Sequence, residues 1–372
     1  MKGQGNMRKE FDNKERSLTP DICKGIAIFL VVWGHVLQRG LFSATEVSEN
    51  PLVKIIYTFH MPLFVLISGY FFYSSHKKKE IKELIVQRGK NLLQIILIWN
   101  TIHFFLTMLF GYLSDIKVES FPKSLWKSIA EGYWFLWAIL FCTVAVGIVT
   151  KCLPKRFWLL GFFCFIPLAL ISPCRWVIIS VYPFFILGFW YHKWMDEGKA
   201  ISQILKYGSL LVYVFVMLFY FSIPAIGNSE WRYMLKMGIS FLKGNMGLTE
   251  VMMQIGRVVL YYVLGITGSV TVIVLIDFIV HTVKKKMVLH FTANLGRFSL
   301  QIYILQRVLL ELIMGRCYVM FVNMTGRNPI ADNEGIFTWV YSFLISVICT
   351  YLFYFLARHV FDGKIGRFLF GR

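Results

Sequence analysis

The sequence predicts an all-α, polytopic integral membrane bundle of about ten transmembrane helices with both termini in the cytoplasm. Three observations carry this. Only 16% of the 372 residues are charged while 57% are hydrophobic, and mean hydropathy is +0.62; a soluble chain carries about 25% charged residues. The apolar runs approach the roughly 20 residues a spanning helix needs, and they are unbroken rather than alternating as in a membrane barrel. About two-thirds of the Lys and Arg residues fall in alternate inter-span segments, the arrangement that fixes orientation with those segments inside.

Taken in order, residues 1–20 are polar and basic (Arg8, Lys9, Lys14, Arg16) and read as a disordered cytoplasmic tail. A transmembrane domain over 21–360 follows, then a short cytoplasmic tail, 361–372. Spans are expected near 21–41, 54–73, 91–113, 134–150, 157–172, 176–192, 206–223, 256–280, 298–314 and 337–358. The first run has no small-x-small cleavage site and reads as a retained signal anchor. Ser172-Pro173-Cys174-Arg175 is a tight hairpin between the fifth and sixth spans. The ninth span is the shortest and most polar, so neighbours must cover it. The basic segments are the N-terminus, 74–90, 151–156, 192–206, 281–297 and the C-terminus, which makes the number of spans even. No internal repeat is visible, which argues against a transporter built from inverted halves.

The net charge of +19 comes from short clusters between apolar runs, which suits a cell (inner or plasma) membrane protein with anionic headgroups at its inner face. No nucleic-acid module is present. The seven cysteines contain no CxxC pair and read as small buried hydrophobes. Cys174 and Cys317, both near outer loops, are the one pair suited to a bridge. No metal is expected, because His35, His60 and His103 lack the i,i+4 spacing of a helical metal motif.

Titratable groups inside hydrocarbon-length segments are costly and are read first as functional. Lys24 and His35 are eleven residues apart in the first span; eleven helical steps return to within about 20° of the start, about 16 Å further along the axis. They therefore share a face, with Lys24 at the inner surface and His35 in the outer half. Asp21 lies too far along that helix to orient His35 and is expected to pair with Lys24 or to act at the helix start. His60, six residues after Lys54, lies at similar depth on the second span. His103, with Asn100 one turn before it, reaches the same layer from the third span; hydrogen bonding to a neighbouring helix is the simpler role for that pair. Arg307 and Glu311, four apart in the ninth span, are expected to neutralise each other. Glu131 precedes the fourth span on the outer side, where it would bind an acceptor hydroxyl. Trp134 and Trp137 suit either an interfacial belt or sugar stacking. Ser68-Gly69 reads as close helix packing rather than a nucleophile.

Asp21-Ile22-Cys23-Lys24-Gly25 followed by Val31-Val32-Trp33-Gly34-His35 resembles the first helix of the family-3 membrane acyltransferases, where an arginine, ten residues and a histidine mark the active helix. Phe59-His60-Met61-Pro62-Leu63-Phe64 with Ile67-Ser68-Gly69-Tyr70 resembles the second-helix signature of the branch with fucose 4-O-acetylase-like and polysaccharide O-acetylating members. Tyr133-Trp134-Phe135-Leu136-Trp137 and Leu295-Gly296-Arg297-Phe298-Ser299-Leu300-Gln301-Ile302-Tyr303 are similar to two later blocks. The chain departs from the pattern in three places. Lys24 replaces the usual arginine and loses its bidentate fork, Gln306 stands where many members have histidine, and Arg88-Gly89-Lys90 is a thin version of an arginine-rich stretch.

The resemblance implies transfer of an acyl group, usually acetyl from cytoplasmic acetyl-CoA, to a hydroxyl of a surface or lipid-linked glycan. On that reading Lys24, Arg88 and Lys90 hold the donor phosphates and His35 either takes the hydroxyl proton or is itself acylated. His60 stabilises the oxyanion or orients the acceptor. Glu131, Trp134, His103 and Asn100 are the acceptor candidates. The competing class is an exporter of surface polysaccharide whose histidines couple protons or bind sugar.

Overall fold

The computed structural model describes residues 18–40, 47, 49–113, 121–153, 175–199, 202–227, 230–284, 286–327, 336–361 and 363–371. Among these residues every regular element is helical. The first half comprises α1 (Leu18–Gly40), α2 (Pro51–Lys78), α3 (Ile81–Leu113), α4 (Phe121–Glu131), α5 (Trp134–Cys152), α6 (Arg175–Asp196) and α7 (Gln203–Tyr220). Then come α8 (Glu230–Leu242), α9 (Leu248–Thr282), α10 (Met287–Arg297) and α11 (Ser299–Gln306). α11 continues through a π-helical stretch, Arg307–Met314, into α12 (Gly315–Thr325). α13 (Ile336–Phe355) ends in a second π turn, Leu356–Val360, before α14 (Gly363–Leu369).

Eight segments among the described residues are long and apolar enough to cross a membrane. They cover eight of the ten expected spans, and the chain is a multi-pass membrane protein. The fifth expected span, 157–172, and Cys174 of the proposed bridge lie outside the described residues; Cys317 is a free, exposed thiol. The sixth span falls in α6, which is helical but less apolar because it carries Tyr182, Pro183, Tyr191 and His192. Protein replaces lipid around it, for Ile178, Tyr182, Phe184, Phe185 and Phe189 are all buried.

One expectation is corrected. The segment 74–90 is not a loop, since α2 runs to Lys78 and α3 begins at Ile81. Its Lys, Glu, Gln and Leu residues are strong helix formers, so both helices continue beyond their apolar runs. The segment 281–297 likewise holds α10, which packs along α1.

α1 is the central helix. Cys23, Ala27, Ile28, Val32 and Leu37 are completely buried on different sides of it, and it touches α2, α9, α10 and α13. α2 packs most intimately on α6 through two glycines. A Cβ on Gly69 would strike the backbone of Phe185, and one on Gly188 the backbone of Leu66. Ser68 donates to its own helix at Phe64 O (2.8 Å), so Ser68-Gly69 serves the close small-residue packing expected of membrane helices. Gly25 and Gly296 do the same between α1 and α10. There Asp21, 2% exposed, accepts from Arg297 Nε at 3.3 Å. On the periphery Leu211, Phe215 and Leu218 of α7 and Leu344 and Ile348 of α13 are exposed. Such a surface would be an aggregation hazard in water and is the lipid face of a membrane bundle.

Candidate active site

A cavity of about 200 Å³ lies at one end of the α1–α2 pair, where His35 and His60 both reach it. α1 contributes Val31, His35 and Gln38, one helical face at steps of four and three. Tyr57 and His60 enter from α2, Trp134 from the first residue of α5, and Tyr303, Arg307 and Glu311 from α11 and its π extension. The depth argument for the two histidines therefore holds in three dimensions.

The partner of His35 comes from far along the chain. Its Nδ1 is 3.7 Å from Glu311 Oε1, with both side chains largely shielded. Gln306 Nε2 donates to the same oxygen at 2.8 Å, and Arg39 Nη2 is 3.7 Å from Oε2. With Nδ1 turned to a carboxylate, Nε2 is the ring nitrogen left to accept a proton. Glu311 does not pair with Arg307 as the spacing of four suggested. In a π-helix the backbone bonds run i→i+5, which brings Gln306 rather than Arg307 within reach of Glu311. Arg307 lies instead over the Tyr133 ring, 5.1 Å from its centroid.

Tyr133 is itself unusual. It is fully buried, caps α5, and has φ 45°, the left-handed region that costs a non-glycine residue about 1–3 kcal/mol. Its hydroxyl donates to Ile304 O at 3.3 Å, tying α5 to α11.

His60 is 5% exposed and its Nδ1 is 2.7 Å from Ile56 O. A carbonyl only accepts, so Nδ1 carries a proton and the neutral ring presents Nε2 as an acceptor. Tyr57 packs edge-on against this imidazole at 4.8 Å. Pro62 follows two residues later and removes one rung of the α2 ladder.

The three residues expected to hold donor phosphates lie towards the other end. Lys24 Nζ sits over Phe64 (5.6 Å) and Phe71 (5.8 Å). The Arg88 guanidinium sits over Phe72 at 5.0 Å and donates to Ser75 Oγ at 2.8 Å. Both cations thus meet consecutive rings of α2, while Lys90 is exposed. A second cavity of about 380 Å³ opens at this end, lined by Cys23, Tyr70, Tyr191, Lys199, Lys206 and Asp277 among others.

The remaining expectations divide. Trp134 lines the histidine cavity, whereas Trp137 Nε1 donates to Ile129 O at 3.0 Å and braces α4. The Glu131 side chain lies outside the described residues. Neither His103 nor Asn100 lines the cavity. His103 Nδ1 is 3.5 Å from the Thr107 hydroxyl. Asn100, fully buried, donates its Nδ2 to Ile96 O at 2.8 Å, and its backbone carbonyl accepts from Ser128 Oγ at 3.2 Å, which ties α3 to α4. No group of three residues able to hold a metal ion occurs among the described residues. The pairing of Glu311 with His35, its ties to Gln306 and Arg39, and the Arg307–Tyr133 contact are not among the sequence expectations; the polarity of the ninth span signals Glu311 and Gln306, while Arg39 and Tyr133 lie elsewhere in the chain.

Residues 18–360, which contain all of these helices up to the end of the second π turn, match the acyltransferase-domain family. The chain belongs to that family. It is similar to the nodulation protein NolL of Mesorhizobium japonicum, with 29% identity over 214 residues, 52% of this chain and 56% of the relative. It is also similar to NolL of Sinorhizobium fredii, with 32% identity over 207 residues, 53% of this chain and 54% of the relative. The chain thus spans about half the length of the curated relatives it matches. No solved structure matches it.

Proposed function

We propose that the protein is a membrane O-acyltransferase of the cell membrane that moves acetyl from cytoplasmic acetyl-CoA to a hydroxyl of a surface or lipid-linked glycan. The observation that carries this is the His35–Glu311 pair at 3.7 Å inside a cavity, in a chain of the acyltransferase family. Acyl transfer to an alcohol needs a base for the hydroxyl proton. His35 Nε2 takes that proton as the hydroxyl oxygen attacks the thioester carbonyl. Glu311 stabilises the resulting imidazolium, and the tetrahedral intermediate collapses with cleavage of the C–S bond. The departing thiolate recovers the proton from His35.

Other features support the same reading. His60 Nε2, an acceptor in the neutral ring, suits orientation of the acceptor hydroxyl. Trp134 offers a flat face for a sugar ring. Lys24 and Arg88, on consecutive rings of α2, hold donor phosphates near the cytoplasmic face, with exposed Lys90 contributing screened charge. The domain responsible is the expected transmembrane domain, 21–360; its first helix opens slightly earlier, at Leu18, and α14 beyond it packs back onto α3.

The test uses membranes containing the protein, labelled acetyl-CoA, and glycan extracted from cells lacking the gene. Transfer of label to the glycan is expected, and mass spectrometry of the glycan should show an acetyl-sized difference with and without the gene. If His35→Ala transfers as fast as the parent, the proposed active helix is wrong.

A further inference from the structure

We infer that Arg307 is the group that stabilises the oxyanion in this cavity, a role that rests on the acyl-transfer reading above. Four observations converge on it. Arg307 lines the cavity together with His35, His60 and Glu311. Its Nε is buried and has no hydrogen-bond partner among the described residues. The nearest carboxylate in sequence, Glu311, is engaged by Gln306, His35 and Arg39. The guanidinium is held in place over the ring of Tyr133, itself locked in a left-handed conformation.

A cation in a membrane bundle is ordinarily paired, because leaving it unpaired is expensive. Here the π-helical stretch beginning at Arg307 hands Glu311 to Gln306 and leaves the guanidinium with an aromatic face. A cation–π contact positions the charge without neutralising it. The result is a preorganised donor fork beside the base, the arrangement that lowers the energy of a developing alkoxide-like charge. The alternative donor, His60, is poorly suited. Its Nδ1 is taken by Ile56 O, so the neutral ring has only an acceptor to offer the cavity.

The division of labour is then complete. As the acceptor oxygen bonds to the thioester carbon, its proton passes to His35 Nε2. The carbonyl electron pair moves onto oxygen, where Arg307 N–H groups donate to it. That pair returns to re-form the carbonyl as the C–S electrons leave with sulfur, which takes the proton from His35. No oxidant or further reactant is needed.

The experiment compares parent, Arg307→Gln, Arg307→Lys, Arg307→Ala and His35→Gln as purified full-length proteins in detergent, with labelled acetyl-CoA and extracted glycan. Arg307→Gln is expected to lower kcat by about 10²–10³, with both KM values within twofold and the base limb of the pH profile unchanged. Arg307→Lys keeps the charge without the fork and should fall between. Guanidinium ion added to Arg307→Ala should restore part of kcat, which a merely structural role would not permit. If Arg307→Gln aggregates on size-exclusion chromatography, Arg307→Lys and the guanidinium rescue decide alone. The inference is overturned if folded Arg307→Gln keeps kcat within threefold, or, where that variant aggregates, if Arg307→Lys matches the parent and guanidinium gives no rescue. It is equally overturned if acceptor KM alone rises, which would make Arg307 a binding group for an anionic acceptor. His35→Gln and the parent separate the two levels: loss of activity in His35→Gln with retention in the Arg307 variants sinks only this inference, whereas no transfer of label by the parent protein sinks the acyl-transfer reading.

Discussion

Glu311 Oε1 faces His35 Nδ1 across 3.7 Å, joining the ninth expected span to the first. The carboxylate is steadied by the Gln306 amide at 2.8 Å, so it can hold the imidazole in one orientation and stabilise its charged form. Glu311→Gln keeps the shape and removes the charge. It is expected to lower kcat by about 10², towards the lower end of what a positioned base contributes, with little change in KM. Initial rates at saturating acetyl-CoA and glycan check this. A Glu311→Gln enzyme as fast as the parent would leave His35 without a functional partner.

Trp134 opens α5 and lines the histidine cavity, while Trp137 is committed to Ile129 O. Trp134→Ala should raise acceptor KM by up to about tenfold, the worth of one aromatic stacking contact, and leave donor KM unchanged. Trp137→Ala should instead lower thermal stability through its effect on α4. Equal KM effects from both would return the two residues to a common interfacial role.

Gly69 and Gly188 let α2 and α6 approach until each position meets the other helix's backbone. Backbone cannot move aside as a side-chain end can, so even one methyl must push the helices apart. Gly69→Ala and Gly188→Ala are each expected to destabilise the fold by about 1–3 kcal/mol, the usual range for overpacking. Melting temperature in detergent is the measurement. Gly208→Ala, inside α7 where nothing lies within 4 Å, is the control and should be neutral or stabilising by up to about 1 kcal/mol.

Lys77 and Asp196 tie the C-terminal ends of α2 and α6 at 2.8 Å. Hydrogen bonds from the Lys77 ammonium and the Tyr73 hydroxyl hold the Asp196 carboxyl below its ordinary value of 3.8. A carboxyl whose folded value is depressed stabilises the fold above its unfolded value and loses that contribution as pH falls through the folded one. Asp196→Asn should therefore melt below the parent at pH 7, and the gap should close on acidification below 3.8. A gap unchanged between neutral and strongly acid buffer would mean the pair does not stabilise the fold.

Much of the architecture was legible because it is local. Apolar length marked the spans, and eight of them recur as membrane-length helices. Helical phase put Lys24 and His35 on one face, and depth put His35 and His60 in one layer, which became one cavity. Hydropathy alone ends the spans at 73 and 91, whereas the helices run on to Lys78 and back to Ile81, because charged residues leave an apolar run yet still favour helix. The roles of His103 and Asn100 depend on which helix lies beside them, and depth alone does not say which.

By itself the sequence determined an all-α membrane bundle, the central histidine-bearing helices and the family resemblance, since hydropathy, helical period and motif are properties of neighbouring residues. Only the tertiary structure decided who meets whom at the site. A π-helical stretch at Arg307–Met314 changes the i→i+4 register to i→i+5 without any residue pattern to announce it. That one change assigns Glu311 to Gln306 and His35, and leaves Arg307 stacked on Tyr133 beside the cavity.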